Sequence, residues 1–233
     1  MVQSVAIIVA GGSGKRMLRD LPKQFLSLDG IPVLARTLSR FEKAVSVTRI
    51  VLVVPEEDVD YAKDEIVDRH QIFKVEHIQA GGKTRQDSVG KGLEMVDDED
   101  DIVIVHDGVR PFLPEELIDL SIREAVRSGA VVPVIPLTDT VKQIGEAGII
   151  KDTPDRNDLR LAQTPQAFRR EIILEAYRNA FREGFYGTDD AFLVERMGVP
   201  VKTIPGSRDN IKITTPEDII LGKFLLRKIG TEI

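Results

Sequence analysis

The sequence predicts an α/β domain built on a twisted, mostly parallel sheet with helices on both faces. Three observations carry that expectation. Apolar runs of strand length recur without polar interruption at Val5–Ala10, Ile50–Val54 and Ile102–Val105, the pattern of strands covered on both sides. Stretches with helical spacing separate them, as right-handed βαβ crossovers require. Polar and glycine-bearing clusters follow the runs, where open parallel sheets bind ligands.

The first run empties into Gly11-Gly12-Ser13-Gly14-Lys15-Arg16-Met17, with Pro22-Lys23-Gln24 close behind. Glycines let a backbone approach a ligand closely and turn successive N–H groups toward an anion, and Lys15, Arg16 and Lys23 add full positive charges. Two familiar phosphate loops fail here. A P-loop needs Ser or Thr after its lysine, where Arg16 stands, and the dinucleotide fingerprint needs a third glycine where Met17 stands.

Helical spacing of Val33, Leu34, Leu38 and Phe41 predicts a packing helix over 32–44, and a charged helix is expected over 56–68. A short strand over 74–78 precedes Gly81-Gly82-Lys83-Thr84-Arg85-Gln86-Asp87-Ser88-Val89, a second glycine turn feeding a helix that runs to about Met95. The run Ile102–Val105 ends in His106-Asp107-Gly108-Val109-Arg110-Pro111, and a helix over 114–128 and a strand over 130–135 complete another unit. Short runs at 140–144 and 148–151, joined through Gly145 and Gly148, predict a two-stranded excursion. A lone hairpin is marginal in water, so this one is expected to pack on a second subunit. Helices over 169–183 and 189–197, a strand over 199–204 and a closing helix over 216–229 follow, the last with Thr215 as N-cap and Glu217 and Asp218 in its first turn. No repeat, linker or low-complexity segment interrupts the 233 residues, so one domain with an arm over 137–160 is expected.

A net charge of −6 argues against a general nucleic-acid or anionic-membrane binder, so any phosphate site must be a local gathering of cations. The absence of cysteine excludes disulfides, thiolate nucleophiles and Cys-ligated zinc. No leader pattern or apolar run of about 18 residues is present, and a cytoplasmic enzyme or binding protein is the default expectation.

Asp107, just past a buried strand, is the natural ligand for Mg²⁺, which takes one or two carboxylates plus phosphate oxygens; a capping or turn role is the alternative. His106 reads as structural, because an attacking phosphate with a second pKa near 6 needs no base at pH 7. Two anionic phosphates repel, so positioning and charge neutralisation dominate such chemistry and cations are the residues to seek. Arg16, Lys23, Arg156 and Lys212 are the candidates, although Arg156 and Lys212 read equally well as surface charges.

The glycine loop resembles that of nucleotidyltransferases that load CTP, UTP or GTP onto a phosphorylated small molecule. Further blocks sharpen the likeness: Pro22 to Phe25, Gly81 to Val89, His106-Asp107 with Arg110-Pro111-Phe112, Asp139-Thr140, Asp155-Arg156-Asn157, Ala162 to Gln166, Thr188 to Ala191, and Asp209 to Lys212 with Thr215 to Asp218. Together they are similar to the 2-C-methyl-D-erythritol 4-phosphate cytidylyltransferases of the non-mevalonate isoprenoid pathway. The resemblance implies a Rossmann-like nucleotidyltransferase domain. It would bind CTP through Ala10, Gly11, Gly12, Gly14 and Lys15 and through the turn from Gly82 to Ser88. Arg16 and Lys23 would stabilise charge at the α-phosphate, and Asp107 would sit beside the Mg²⁺-triphosphate. Arg156 and Lys212, helped by Thr140 and Arg110, would position the acceptor's phosphate. The arm would clasp a second subunit in a homodimer, so that Thr140 and Arg156 serve the partner's site. Gly11 and Gly108-Val109 depart from the commonest family pattern and lean toward the related ribitol-5-phosphate cytidylyltransferases, the alternative for the acceptor. A non-catalytic nucleotide-binding protein is the alternative of a different class.

Overall fold

The computed structural model describes residues 2–11 and 22–230. The expected loop residues Gly12, Gly14, Lys15 and Arg16 lie outside the described residues.

The chain opens with β1 (Ser4–Val9), and after Lys23–Phe25, a single 3₁₀ turn, the two-residue strands β2 (Ser27–Leu28) and β3 (Ile31–Pro32) pair as a small hairpin. The α1 helix (Val33–Lys43) begins directly after Pro32, and β4 (Arg49–Val54) follows. The charged stretch expected as one helix is instead a 3₁₀ turn (Glu56–Asp58), the short α2 (Val59–Tyr61) and a π-helical turn (Ala62–Asp68). The wider turn explains the difference: Ala62, Ile66 and Val67 all come to face the core, which an ordinary helical pitch does less well.

Next come β5 (Val75–Ala80), α3 (Arg85–Leu93), β6 (Ile102–Asp107), α4 (Glu115–Ser128) and β7 (Ala130–Pro136). The excursion forms as β8 (Gln143–Ile144) antiparallel to β9 (Ile150–Asp152), apart from the main sheet. Two strands with no sequence signal follow, β10 (Arg160–Ala162) and β11 (Gln166–Arg169). The chain closes with α5 (Arg170–Glu183), α6 (Asp190–Arg196), β12 (Lys202–Pro205) and α7 (Pro216–Ile229).

The main sheet runs β5-β4-β1-β6-β11-β7, with β10 and β12 on opposite edges of β7. The pairs β5–β4, β4–β1, β1–β6 and β7–β12 are parallel, whereas β11 is antiparallel to both neighbours. The sheet is therefore mixed but mostly parallel, and strand order reverses between β1 and β6. Alternation along β1 sends Ala6 and Ile8 to one face, against Leu34, Leu38 and Phe41 of α1, and Ile7 and Val9 to the other, with Val89, Ile173 and Tyr177. Both faces are buried, which is why these strands read as unbroken apolar runs. A third cluster, including Leu28, Val109, Phe112, Ile213 and Leu225, seats α7 over the end of the sheet.

Candidate active site

The crevice where strand order reverses, beyond the carboxyl ends of β1 and β6, is where open α/β sheets bind ligands. A cleft of about 370 Å³ lies there. Ala10 and Gly11 line it from β1, Lys23 and Gln24 from the 3₁₀ turn, Gly82 to Arg85 and Ser88 from the second glycine turn, Asp107 and Val109 from β6, and Lys212 from the segment before α7. Residues from five separate stretches thus meet at one point.

The second glycine turn is built for close approach. A Cβ on Gly81 would stand 2.8 Å from Ser88 Oγ, and one on Gly82 would stand 2.3 Å from Asp87 Cβ. Ser88 is buried, accepts from the Gly82 N–H at 3.1 Å and donates to the Thr84 carbonyl at 2.9 Å. Thr84 caps α3 in a capping box with Asp87, so the turn and the helix start are locked together. Of the glycines that depart from the family pattern, Gly11 leaves 3.5 Å to Ser88 Oγ, room for an alanine, whereas a Cβ on Gly108 would meet Ala10 Cβ at 2.9 Å.

Asp107 is the electrostatic centre. Its Oδ1 accepts from Arg85 Nε at 3.1 Å, and its Oδ2 from Lys212 Nζ at 2.9 Å and Arg110 Nε at 3.2 Å. Burial alone would raise the carboxyl's pKa, but Arg85, Lys212 and Arg110 hold it well below the usual carboxylate range. Arg85 also makes a two-pronged bond to Asp190, at 2.8 and 3.1 Å, and Tyr177 Oη donates to the same carboxylate at 2.5 Å. Burial first, and the Asp190 charge second, push the Tyr177 hydroxyl well above its ordinary pKa, so it stays a donor. Arg85 belongs to the Gly81 to Val89 stretch and Asp190 to the Thr188 to Ala191 stretch. Their partnership spans 105 positions, and no local spacing signals it.

Arg110 lies behind Asp107 and does not line the cleft. Its Nη1 donates to the Asn210 carbonyl at 2.9 Å, tying the segment that carries Lys212 to the end of β6. Thr140 and Arg156 stand on exposed parts of the arm, outside the cleft of their own chain, with Arg156 Nη1 donating to the Thr138 carbonyl at 2.8 Å.

His106 is structural by position. It is fully buried and packs against Phe41 with ring centroids 5.0 Å apart. His106 Nε2 faces the Arg110 carbonyl at 3.4 Å, which can only accept, so the ring proton is assigned to Nε2 and the Thr164 hydroxyl, which also accepts the Asp107 N–H, donates to His106 Nδ1 at 2.9 Å. Burial pushes the imidazole down to about 3, so it is neutral at pH 7. The unfolded chain binds a proton near pH 6.5 that the folded chain refuses. Stability contributed by neutral His106 is therefore intact above pH 6.5 and is lost progressively as the pH falls toward 3. Thermal melts across this window are expected to be flatter for His106→Gln than for the parent.

A mostly parallel sheet with a cation-lined cleft at its switch point defines an α/β fold of the nucleotidyltransferase type. The family model of 2-C-methyl-D-erythritol 4-phosphate cytidylyltransferase matches residues 4–228. Curated relatives of that name from Syntrophus aciditrophicus and Geotalea uraniireducens are 50% and 46% identical, covering 96% and 97% of this chain and 96% and 98% of theirs. Crystal structures titled as the corresponding Anaerococcus prevotii synthase and Thermus thermophilus cytidylyltransferase superpose with TM-scores of 0.85 and 0.79 at 34% and 33% identity, each over 97% of this chain and 96% and 100% of theirs. The chain belongs to the 2-C-methyl-D-erythritol 4-phosphate cytidylyltransferase family.

Proposed function

We propose that this enzyme transfers the cytidylyl group of CTP to 2-C-methyl-D-erythritol 4-phosphate, releasing pyrophosphate and giving 4-diphosphocytidyl-2-C-methyl-D-erythritol for isoprenoid precursor synthesis. The observation that carries the reading is the convergence of Lys23, Arg85, Lys212 and Asp107 on one cleft in an acidic protein. An acceptor phosphate already ionised at pH 7 attacks the α-phosphorus in line and the P–O bond to pyrophosphate breaks, so the protein supplies position and positive charge and no base. His106, neutral and walled off, has no part in proton transfer.

In this reading backbone groups of Ala10, Gly11 and Gly82 and the Ser88 hydroxyl hold the nucleotide. Lys23 neutralises charge gathering at the α-phosphate, and Arg16 is assigned the same task on the resemblance alone. Lys212, resting on Asp107 in the free chain, turns to the acceptor phosphate. Asp107 is the sole carboxylate among the described residues lining the cleft, and no group of three potential metal ligands is present among the described residues. That donor set suits Mg²⁺ carried mainly by phosphate oxygens, with Asp107 Oδ1 keeping a lone pair beyond its bond to Arg85. When bound, the cation would draw negative charge from the triphosphate.

A pyrophosphate-release assay with CTP and each acceptor tests the assignment. Turnover with methylerythritol phosphate is expected, and equal or greater turnover with ribitol 5-phosphate would overturn it. The family match does not favour the ribitol alternative.

A homodimer is part of the same reading. Ile144, Ile149, Ile150 and Leu161 are 58%, 69%, 55% and 50% exposed on and beside the arm, an apolar surface that a second copy would cover. Arg156→Ala is expected to raise the acceptor's KM roughly 10- to 100-fold with little change for CTP, as loss of a charge-assisted phosphate contact should. Mixing Arg156→Ala with Lys23→Ala protein should restore activity if the arm serves the partner's site, and additive inactivity would place Arg156 in its own.

A further inference from the structure

One side chain in the cleft is enclosed with both its polar atoms unpaired. Gln24, next to Lys23, is 0% exposed and lines the cleft, yet neither its Nε2 nor its Oε1 has a hydrogen-bond partner among the described residues. The fold treats its other buried glutamines differently. Gln86 donates to the Phe185 carbonyl and accepts from the Gly187 N–H. Gln163 donates to the Ser207 carbonyl and accepts from the Ser207 N–H, and Gln166 donates to Asp189 and accepts from the Ala191 N–H. Each of those three amides is satisfied at both ends, as buried amides generally are.

An enclosed amide left unpaired weakens the free protein, and such a cost recurs where a ligand brings the missing partners. The requirement is specific, because a carboxamide needs an acceptor for its N–H and a donor for its oxygen. Bare phosphate oxygens satisfy only the first. A hydroxyl beside a phosphate satisfies both.

Resting on the proposed function, we propose that Gln24 is a substrate-recognition residue whose carboxamide reads a phosphate oxygen flanked by a hydroxyl, Nε2–H donating to the former and Oε1 accepting from the latter. Two parts of the substrates carry that chemistry: the polyol phosphate acceptor and the ribose 5′-phosphate portion of CTP. Lys23 beside it supplies charge, and Gln24 supplies discrimination.

The test compares the parent with Gln24→Met, similar in length and without the amide, and Gln24→Glu, similar in shape and negatively charged. Ligand-free melting of Gln24→Met is expected to be equal to or higher than the parent's, while kcat/KM falls at least tenfold; Gln24→Glu should fall further, its carboxylate facing phosphate. A raised KM for the acceptor assigns the contact there, and a raised KM for CTP assigns it to the nucleotide. A lower ligand-free melting temperature for Gln24→Met, or unchanged values of kcat and both KM values, overturns the proposal. The parent's own turnover separates this from the functional reading: a parent inactive with CTP and methylerythritol phosphate refutes that reading, whereas an active parent matched by Gln24→Met refutes only the role of Gln24.

Discussion

Lys23→Ala is expected to lower kcat by roughly 10²- to 10³-fold, the range for removing one preorganised charge-stabilising group, while CTP affinity changes far less. Lys23 lines the cleft at the start of a 3₁₀ turn whose backbone is closed by the Phe25 N–H to Pro22 carbonyl bond, so its position is set by local structure. Charge at the α-phosphate rises as the acceptor oxygen approaches, and a cation fixed there stabilises the transition state more than the ground state. Pyrophosphate release gives kcat, and calorimetric titration with CTP gives the affinity. A loss of CTP affinity equal to the loss in kcat/KM would make Lys23 a ground-state binder instead.

Arg85→Met is expected to be the most destabilising single change, at about 3–5 kcal/mol, because it strands buried charge. Asp190 is completely enclosed and Asp107 nearly so, and Arg85 is the one cation bonded to both among the described residues. Without it, Asp190 keeps only the Tyr177 hydroxyl among the described residues, and the start of α6 loses its ion-pair link to the cleft. A fall in Tm of roughly 6–20 °C follows for a chain of this size. Pairing the change with Asp190→Asn removes the stranded charge and should recover part of the loss, measured as a double-mutant cycle in thermal or urea unfolding. Recovery of nothing would mean that Arg85 acts through packing and not through the ion pair.

Much of the fold is legible in local sequence. The runs Val5–Ala10, Ile50–Val54 and Ile102–Val105 can be buried on both faces only within a helix-covered sheet, and they form its centre. The N-cap at Thr215 and the glycine turn at Gly81 are set by residues within a few positions of each other, so they too are readable. The antiparallel strand β11 is not, because four residues with only Gln166, Ala167 and Phe168 buried carry no periodic signature, and their partners in β6 lie some sixty positions away. The π-helical turn escaped for a related reason: its charged surface reads as an ordinary helix, and only the core demands that Ile66 and Val67 both turn inward.

The candidate site divides along the same line. The sequence by itself determined the chemical inventory: glycines that leave the backbone open, lysines and arginines that carry positive charge, and one aspartate at the end of a buried strand. Those identities follow from what charge and backbone geometry require locally. Tertiary structure alone decided the assignments among them. It placed Arg110 behind Asp107, made Arg85 the bridge between Asp107 and Asp190, and left the Gln24 carboxamide enclosed without a partner among the described residues. Such relations depend on distances between residues up to about a hundred positions apart, and in a cleft those distances decide whether two charges attract strongly or hardly at all.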